Sequence, residues 1–168
     1  MKLAVTDANI FIDLIRLDIL HLLFAFRIEI YTTQEVIDQL NVAQSKELIP
    51  FIQLSQLKVH RFTADELTEV VAMAAPRSLE LADRSVAWLS VHLKAVVLTG
   101  DGVLRKYCEQ QQLEVHGIIW FFDRAMELNL LDPAGAAKHL ESLLRINPRL
   151  PKQEVHARIK LWSNLTYL

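Results

Sequence analysis

The sequence is poor in cysteine, glycine and proline, and each shortage excludes a class of protein. The lone cysteine among 168 residues, Cys108, excludes a disulfide framework and any paired-cysteine zinc or redox motif. Four glycines and five prolines favour long helices over a many-turned all-β fold. With 52% hydrophobic and 23% charged residues, the chain can bury a core, which excludes disorder and predicts one ordinary globular domain.

Long uncharged hydrophobic runs are also missing. The most apolar early stretch, residues 10–30, is interrupted by five charges: Asp13, Arg16, Asp18, Arg27 and Glu29. A membrane-spanning helix needs about 18 or more apolar residues almost free of charge. The first residues lead directly into a strand-like run without the design of a signal peptide. We therefore expect no membrane association and a cytoplasmic location, with the lone cysteine kept reduced.

The charge is small overall and unevenly distributed. A net charge of −2 argues against strong non-specific binding of nucleic acid. From Lys138 onward the chain carries six basic and two acidic residues, so the acidic excess lies in residues 1–137. This asymmetry is typical either of an acidic site beside a basic docking surface or of a solvated helical face.

Short apolar runs alternate with helical patterns along the chain. Five runs are typical of buried strands: Lys2–Thr6, Ile28–Tyr31, Leu57–Phe62, Ala95–Leu98 and Leu113–His116. The alternation predicts a three-layer α/β/α sandwich with a five-stranded, mainly parallel sheet. Residues 1–130 form this domain, and residues 131–168 form a C-terminal helical extension packed on it. The ligand site is expected outside the carboxyl ends of the strands, where the strand order reverses.

The helix boundaries are predicted from capping residues and apolar spacing. Residues 9–25 form one helix, residues 45–55 form a helix interrupted near Pro50, and the helix that starts at Thr63 runs to Pro76. Thr32 and Glu35 form a capping box for the helix at 33–40. Asp132 and Pro133 start the first helix of the extension.

Three aspartates follow or flank these elements at the edge where the site is expected. Asp7 follows the first strand, Asp101 follows the fourth, and Asp83 lies in the first turns of the helix at 79–93. Clustered carboxylates repel one another unless a cation joins them, and their oxygens suit Mg²⁺ or Mn²⁺. Each aspartate has an alternative role, as a helix N-cap for Asp7 and Asp101 and as a complement to the helix dipole for Asp83.

The segments that contain these aspartates resemble the PIN-domain family. Residues 5–14, Val-Thr-Asp-Ala-Asn-Ile-Phe-Ile-Asp-Leu, are similar to the family's opening strand, aspartate and helix. Residues 81–86 are similar to its mid-chain aspartate at a helix start, and residues 97–101, Val-Leu-Thr-Gly-Asp, to its fourth strand. The resemblance covers about residues 2–130, and the tail is similar to longer prokaryotic PIN-like proteins.

The resemblance implies divalent-metal-dependent hydrolysis of RNA phosphodiesters. It implies that Asp7, Asp83 and Asp101 are the catalytic and metal-binding residues, with Mg²⁺ or Mn²⁺ as the cofactor. Asn9 and Thr99 are then expected to position water or phosphate oxygens. Many prokaryotic members are the toxin ribonucleases of VapC-type toxin–antitoxin pairs, so an antitoxin protein and a second copy of the chain are expected partners beside RNA.

One position departs from the family pattern. The family usually has a glutamate in the helix after the second strand, and here Gln39 stands in that place. Glu35 lies one helical turn earlier on the same face and is a second candidate ligand, although the capping box with Thr32 is its favoured role. The role expected for Gln39 is to position substrate or water. The alternative function is therefore a PIN domain without catalysis that binds RNA or protein.

Other enzyme classes fit the sequence less well. A phosphatase of the haloacid dehalogenase type needs a second aspartate two residues after the first, where this chain has Asn9. A receiver-like domain needs an aspartate after the third strand, which ends at Arg61-Phe62-Thr63. The scattered histidines form no pair with Cys108, and the tryptophans lie on apolar helical stripes, which indicates core or interface positions.

Overall fold

The computed structural model describes residues 2–165 and contains a five-stranded, all-parallel sheet in the order β3-β2-β1-β4-β5. The strands are β1 (Leu3–Thr6), β2 (Glu29–Thr33), β3 (Leu57–His60), β4 (Val96–Leu98) and β5 (Val115–His116). All five predicted strands are confirmed, each with shifts of one or two residues at its ends. The strand order reverses between β1 and β4, where Ala4 pairs with Val96 and Thr6 with Leu98.

Helices cover both faces of the sheet. Their bounds are α1 (Ala8–Arg16), α2 (Leu20–Phe24), α3 (Gln34–Asp38), α4 (Val42–Gln53), α5 (Ala64–Ala72), α6 (Leu81–Leu93), α7 (Gly102–Gln110), α8 (Ile118–Glu127), α9 (Pro133–Ile146) and α10 (Lys152–Leu165). Helix α6 packs on β1, β2 and β4 with α3, α5 and α7 beside it, while α1 contacts α2 and α4, and α2 contacts α8. The predicted α/β/α sandwich is confirmed.

The first predicted helix is two helices, because the chain turns at Asp18. Asp18 has φ 57°, a left-handed conformation that aspartate tolerates better than most residues. The amide of Ile19 then donates to the carbonyl of Leu14 at 3.0 Å, and that of Asp18 to Ile15 at 3.0 Å. This is the hydrogen-bond pattern of a Schellman motif, which ends α1 without a glycine.

Two other helix boundaries also differ from the prediction. Helix α4 continues through Pro50, because this residue lies on an exposed face within the last turn and removes a single backbone donor. Helix α5 ends at Ala72 rather than at Pro76. The Arg84 guanidinium donates to the carbonyls of Val71 at 3.1 Å and Met73 at 3.3 Å. It thus supplies hydrogen-bond donors to carbonyl groups at the end of this helix.

The C-terminal helices begin as predicted and are anchored to the sheet domain by a buried polar contact. Asp132 caps α9 by accepting from the Gly135 amide at 2.6 Å, with Pro133 at the first position. Asn147, just after α9, donates from Nδ2 to both carboxylate oxygens of buried Asp13, at 2.9 and 3.1 Å. In the stretch from residue 2 to residue 165, no helix is long and apolar enough to cross a membrane.

We predict that the C-terminal extension unfolds together with the sheet domain. Leu140 of α9 is fully buried, so Leu140→Ala is expected to lower the free energy of unfolding by about 2–5 kcal/mol. The matched control is Ile146→Ala on the same helix, where the side chain is 45% exposed and the expected loss is below about 1 kcal/mol. The measurement is urea unfolding followed by tryptophan fluorescence and far-ultraviolet circular dichroism. Two separate transitions would contradict the prediction.

Candidate functional site

The residues that follow β1 and β4 lie together at the point where the strand order reverses. Asp7 directly follows β1, and its amide donates to the carbonyl of Leu98, the last residue of β4, at 3.0 Å. Thr99 and Asp101 follow β4, the strand that neighbours β1. Open parallel sheets bind ligands outside such a reversal. The ends of β1 and β4 therefore meet where the sequence predicts a ligand site, and the site itself stays a prediction.

Asp7 is the most enclosed of the three aspartates, with 3% of the residue exposed. Its Oδ1 accepts from the Ala8 amide at 2.7 Å, which caps α1. Its Oδ2 accepts from Asn9 Nδ2 at 2.6 Å and from the Thr99 hydroxyl at 2.9 Å. A buried carboxylate needs such donors to offset the loss of water.

Asn9 and Thr99 also connect Asp7 to the turn after β4. The Gly100 amide donates to Asn9 Oδ1 at 2.8 Å, and the Asp101 amide donates to Thr99 Oγ1 at 3.0 Å. A Cβ atom on Gly100 would lie 3.3 Å from Asn9 Oδ1, so the turn and the asparagine approach each other closely. Asn9 and Thr99 thus hold Asp7 and Asp101 in one hydrogen-bonded unit.

Asp101 and Asp83 each use one carboxylate oxygen locally. Asp101 Oδ1 caps α7 by accepting from the amides of Val103 at 2.9 Å and Leu104 at 2.8 Å. Asp83 Oδ2 accepts from the Glu80 amide at 2.9 Å, at the start of α6. No donor within residues 2–165 bonds to the second oxygen of either side chain. The N-cap role expected as the alternative for Asp101 and the helix-dipole role expected for Asp83 therefore leave an oxygen of each aspartate available.

The three aspartates act on one another electrostatically. The pKa of Asp7 is raised from its ordinary value of 3.8 to about 6, mainly by burial. The charges of Asp83 and Asp101 contribute to this rise, whereas the hydrogen bonds from Thr99 and Ala8 oppose it. Burial also raises the pKa of Asp83, and the charges of Asp101 and Glu80 add to that rise. The hydrogen bond from the Glu80 amide opposes it. The site is therefore an acidic cluster that a cation would stabilise.

The carboxylate oxygens do not form a closed cage. Across the described part of the chain, no three acidic, histidine or cysteine side chains are placed to hold a metal ion together. The donor set nonetheless suits a hard cation, because Asp7, Asp83 and Asp101 offer oxygen ligands and neighbouring negative charge. These residues fit Mg²⁺ or Mn²⁺ held by few carboxylates and several waters.

Glu80 is a fourth carboxylate that sequence reasoning missed. Gln39, at the C-terminal end of α3, donates from Nε2 to Glu80 Oε2 at 3.4 Å. Glu80 precedes α6 by one residue and contributes to the raised pKa of Asp83. Its spacing of three residues before Asp83 is a sequence signal for a helix start, but that spacing does not predict contact with Gln39.

The predicted capping box of Thr32 and Glu35 is wrong. Strand β2 extends to Thr33, whose hydroxyl accepts from the Val36 amide at 3.2 Å and caps α3. The Thr32 hydroxyl instead donates to the carbonyl of Thr6 at 2.9 Å, inside the sheet. Glu35 Oε2 is buried and has no hydrogen-bond partner in the described residues. A ligand role for Glu35 stays a prediction.

Comparison with known proteins identifies the family of the chain. A family model described as PIN domain matches residues 3–164. The chain therefore belongs to the PIN-domain family and has a nuclease-type fold, and the match includes the C-terminal segment. No curated protein sequence matches it significantly.

Several solved structures are similar in fold. A PilT N-terminus domain protein from Sulfolobus solfataricus P2 has a TM-score of 0.49 and 10% identity, over 71% of this chain and 89% of that one. A domain of a functionally unknown protein from Methanocaldococcus jannaschii DSM 2661 has a TM-score of 0.49 and 16% identity, over 70% and 91%. VapBC2 from Rickettsia felis, bound to a promoter DNA fragment, has a TM-score of 0.43 and 15% identity, over 68% and 98%.

We predict that the ionised Asp7 lowers stability above pH 6 when no divalent cation is present. The unfolded chain releases this proton near pH 3.8 and the folded chain near 6, so the free energy of unfolding falls as the pH rises through this window. The full effect above pH 7 is about 3 kcal/mol. Asp7→Asn lacks this titration and is expected to be the more stable protein at pH 7.5, with the advantage shrinking towards pH 4.

The measurement is urea unfolding in chelator from pH 4 to 8. Asp38→Asn is the control, because it removes an exposed carboxylate outside the site. A stability difference between wild type and Asp7→Asn that does not change with pH would contradict the prediction.

Proposed function

We propose that this protein is a divalent-metal-dependent endoribonuclease that hydrolyses RNA phosphodiester bonds. The observation that carries the proposal is the acidic cluster of Asp7, Asp83 and Asp101 outside β1 and β4, where the charges of Asp83 and Asp101 raise the pKa of Asp7 and the charge of Asp101 raises that of Asp83. Such a cluster costs stability in the absence of a cation, which is the pattern of a functional site rather than of a core. Membership of the PIN-domain family supports the same activity.

Asp7, Asp83 and Asp101 would hold one or two Mg²⁺ or Mn²⁺ ions, each ion bound by one or two of these carboxylates and by water. Lewis-acid activation of water and of the phosphodiester is the chemistry that such ions supply. Asp83 and Asp101 each offer the oxygen that takes no internal hydrogen bond. Asp7 is oriented by Asn9 and Thr99, so these two residues are positioning residues that keep its carboxylate in one rotamer.

Gln39 and Glu80 together would take the place of the single glutamate expected on α3. The Gln39 amide donates to the Glu80 carboxylate, which keeps that carboxylate beside Asp83. Gln39 would thus position Glu80 and substrate water rather than bind the ion itself. Glu35 is the less supported fourth ligand, because its charge does not contribute to the raised pKa of Asp7 or Asp83.

A second candidate function is favoured by Gln39, which removes one negative charge from the expected ligand set. In this alternative the domain binds RNA or protein without cleaving RNA. Under the nuclease proposal, a toxin-like role in the cytoplasm with a small antitoxin partner and a homodimeric state are further proposals. A gene for a small protein next to this one, and the mass of the protein in solution, would test them.

We predict that cleavage of single-stranded RNA requires Mn²⁺ or Mg²⁺ and Asp7. Asp7→Asn is expected to lower kcat/KM at least roughly hundredfold, because even residues that only support metal ligands are worth 10–100-fold. The measurement compares wild type, wild type in chelator and Asp7→Asn on labelled RNA, with Asp38→Asn as the charge-matched control. Equal cleavage by wild type and Asp7→Asn would contradict the assignment. Wild type that remains inactive with either ion would favour the binding alternative.

We predict that Gln39→Glu has opposite effects on stability with and without metal. In chelator, the new carboxylate repels Glu80 and Asp83, so the unfolding temperature is expected to fall. In excess Mn²⁺ it is expected to rise above that of wild type, with roughly tenfold tighter Mn²⁺ binding by calorimetry. The control Gln53→Glu adds the same charge on exposed α4 and should show neither effect. Unchanged Mn²⁺ affinity in Gln39→Glu would contradict both the ligand role of Glu80 and the positioning role of Gln39.

A further inference from the structure

A cavity of about 570 Å³ opens at Asn9 and Gly100 of the candidate site, and the C-terminal segment forms part of its wall. The volume lies in the range of about 300–1,000 Å³ that small-molecule sites occupy. Its wall includes Asn9 and Gly100, the pair that links Asp7 to the turn after β4. It also includes Arg149 and neighbouring residues of the segment between α9 and α10. The cavity therefore shares two wall residues with the candidate site.

The aromatic part of the wall is a pair of stacked rings. His116 and Trp120 lie face to face, with ring centroids 4.5 Å apart and an interplanar angle of 6°. Trp120 is held from another side by Phe26, whose ring meets it edge-on at 6.0 Å. Both stacked residues are half-buried and line the cavity. Nucleic-acid bases stack on side chains of this kind with little dependence on sequence.

Most charged groups of the wall already have partners. Arg158 pairs with Asp123 at 2.8 Å, and Arg105 donates to the backbone carbonyls of Val115 and Thr99 at 3.2 and 3.3 Å. Asp13 is bonded to the Asn147 amide.

Two exposed charges of the wall are not paired. Among residues 2–165, no carboxylate lies within ion-pair distance of the Arg149 guanidinium, and Glu154 likewise has no basic partner. Arg149 is therefore the cation of this wall that is available to an incoming anion.

We propose that this cavity binds one nucleotide of the single-stranded RNA substrate, next to the phosphate at the acidic cluster. The base stacks against the pair of His116 and Trp120, and Arg149 contacts a backbone phosphate at the exposed rim. The proposal rests on the proposed ribonuclease function for the identity of the ligand. The occupant is a nucleotide rather than an apolar molecule, because the cavity wall combines stacked rings with an unpaired arginine. The same wall adjoins the site proposed to bind phosphodiesters.

The test measures RNA binding by fluorescence anisotropy in chelator, so the result does not depend on cleavage. The probes are labelled hexaadenylate and an abasic hexamer with the same backbone, each titrated over a range of salt concentrations. The variants are Arg149→Gln, the control Arg145→Gln on α9 outside the cavity, and Trp120→Leu. Thermal unfolding of each variant reports whether it is folded.

Arg149→Gln is expected to reduce the slope of log affinity against log salt by about 0.7, the value for one lost phosphate contact on a single strand. Arg145→Gln should leave the slope unchanged. The abasic hexamer should bind roughly tenfold more weakly than hexaadenylate to wild type, because a base stack is lost. Trp120→Leu should remove that difference between the probes, and the abasic comparison stands by itself if this variant does not fold.

Equal slopes for the two arginine variants, or equal affinities for the two probes, would overturn the proposal. These outcomes differ from failure of the proposed function. Cleavage with Mn²⁺ together with unchanged binding by Arg149→Gln would support the proposed nuclease function and contradict nucleotide binding in the cavity. Probe binding that depends on Arg149 and Trp120, without cleavage in any metal, would retain the cavity and favour the binding alternative.

Discussion

The burial of the Asp7 carboxylate between the ends of two parallel strands is the constraint on which the site depends. A carboxylate that is 3% exposed has lost its water, and it retains its position because Ala8, Asn9 and Thr99 donate to it. Those donors come from α1 and from the turn after β4, so β1 and β4 must be neighbours. The acidic cluster therefore exists because of the strand order, and the raised pKa of Asp7 follows from the burial of its carboxylate.

A second buried carboxylate connects α1 to the C-terminal segment. Asp13, another buried carboxylate of α1, is bonded by Asn147 just after α9. This contact brings the segment that contains Arg149 against the edge of the sheet, where it lines the same cavity as Asn9. Two buried aspartates on one short stretch thus connect the sheet, the acidic cluster and the C-terminal helices.

The sequence predicted the parts of this arrangement that depend on local patterns. Apolar runs identified all five strands, and Asp7, Asp83 and Asp101 were found because they follow or flank such elements. The predicted helix boundaries were wrong where two local sequence patterns indicate different boundaries. Thr32 and Thr33 are both possible caps, and the end of β2 decides between them. The apolar spacing of residues 9–25 continues through Asp18, whose left-handed backbone ends α1.

By itself, the sequence determined the alternation of strands and helices, and with it the sheet edge where Asp7 and Asp101 meet. Parallel strands joined by right-handed crossovers place their carboxyl ends at one edge, so this result needs no side-chain detail. The tertiary structure alone decided that Gln39 contacts Glu80 and that Arg149 lines the same cavity as Asn9. These residues belong to segments far apart in the chain, and their proximity depends on how whole helices pack, which no local spacing encodes.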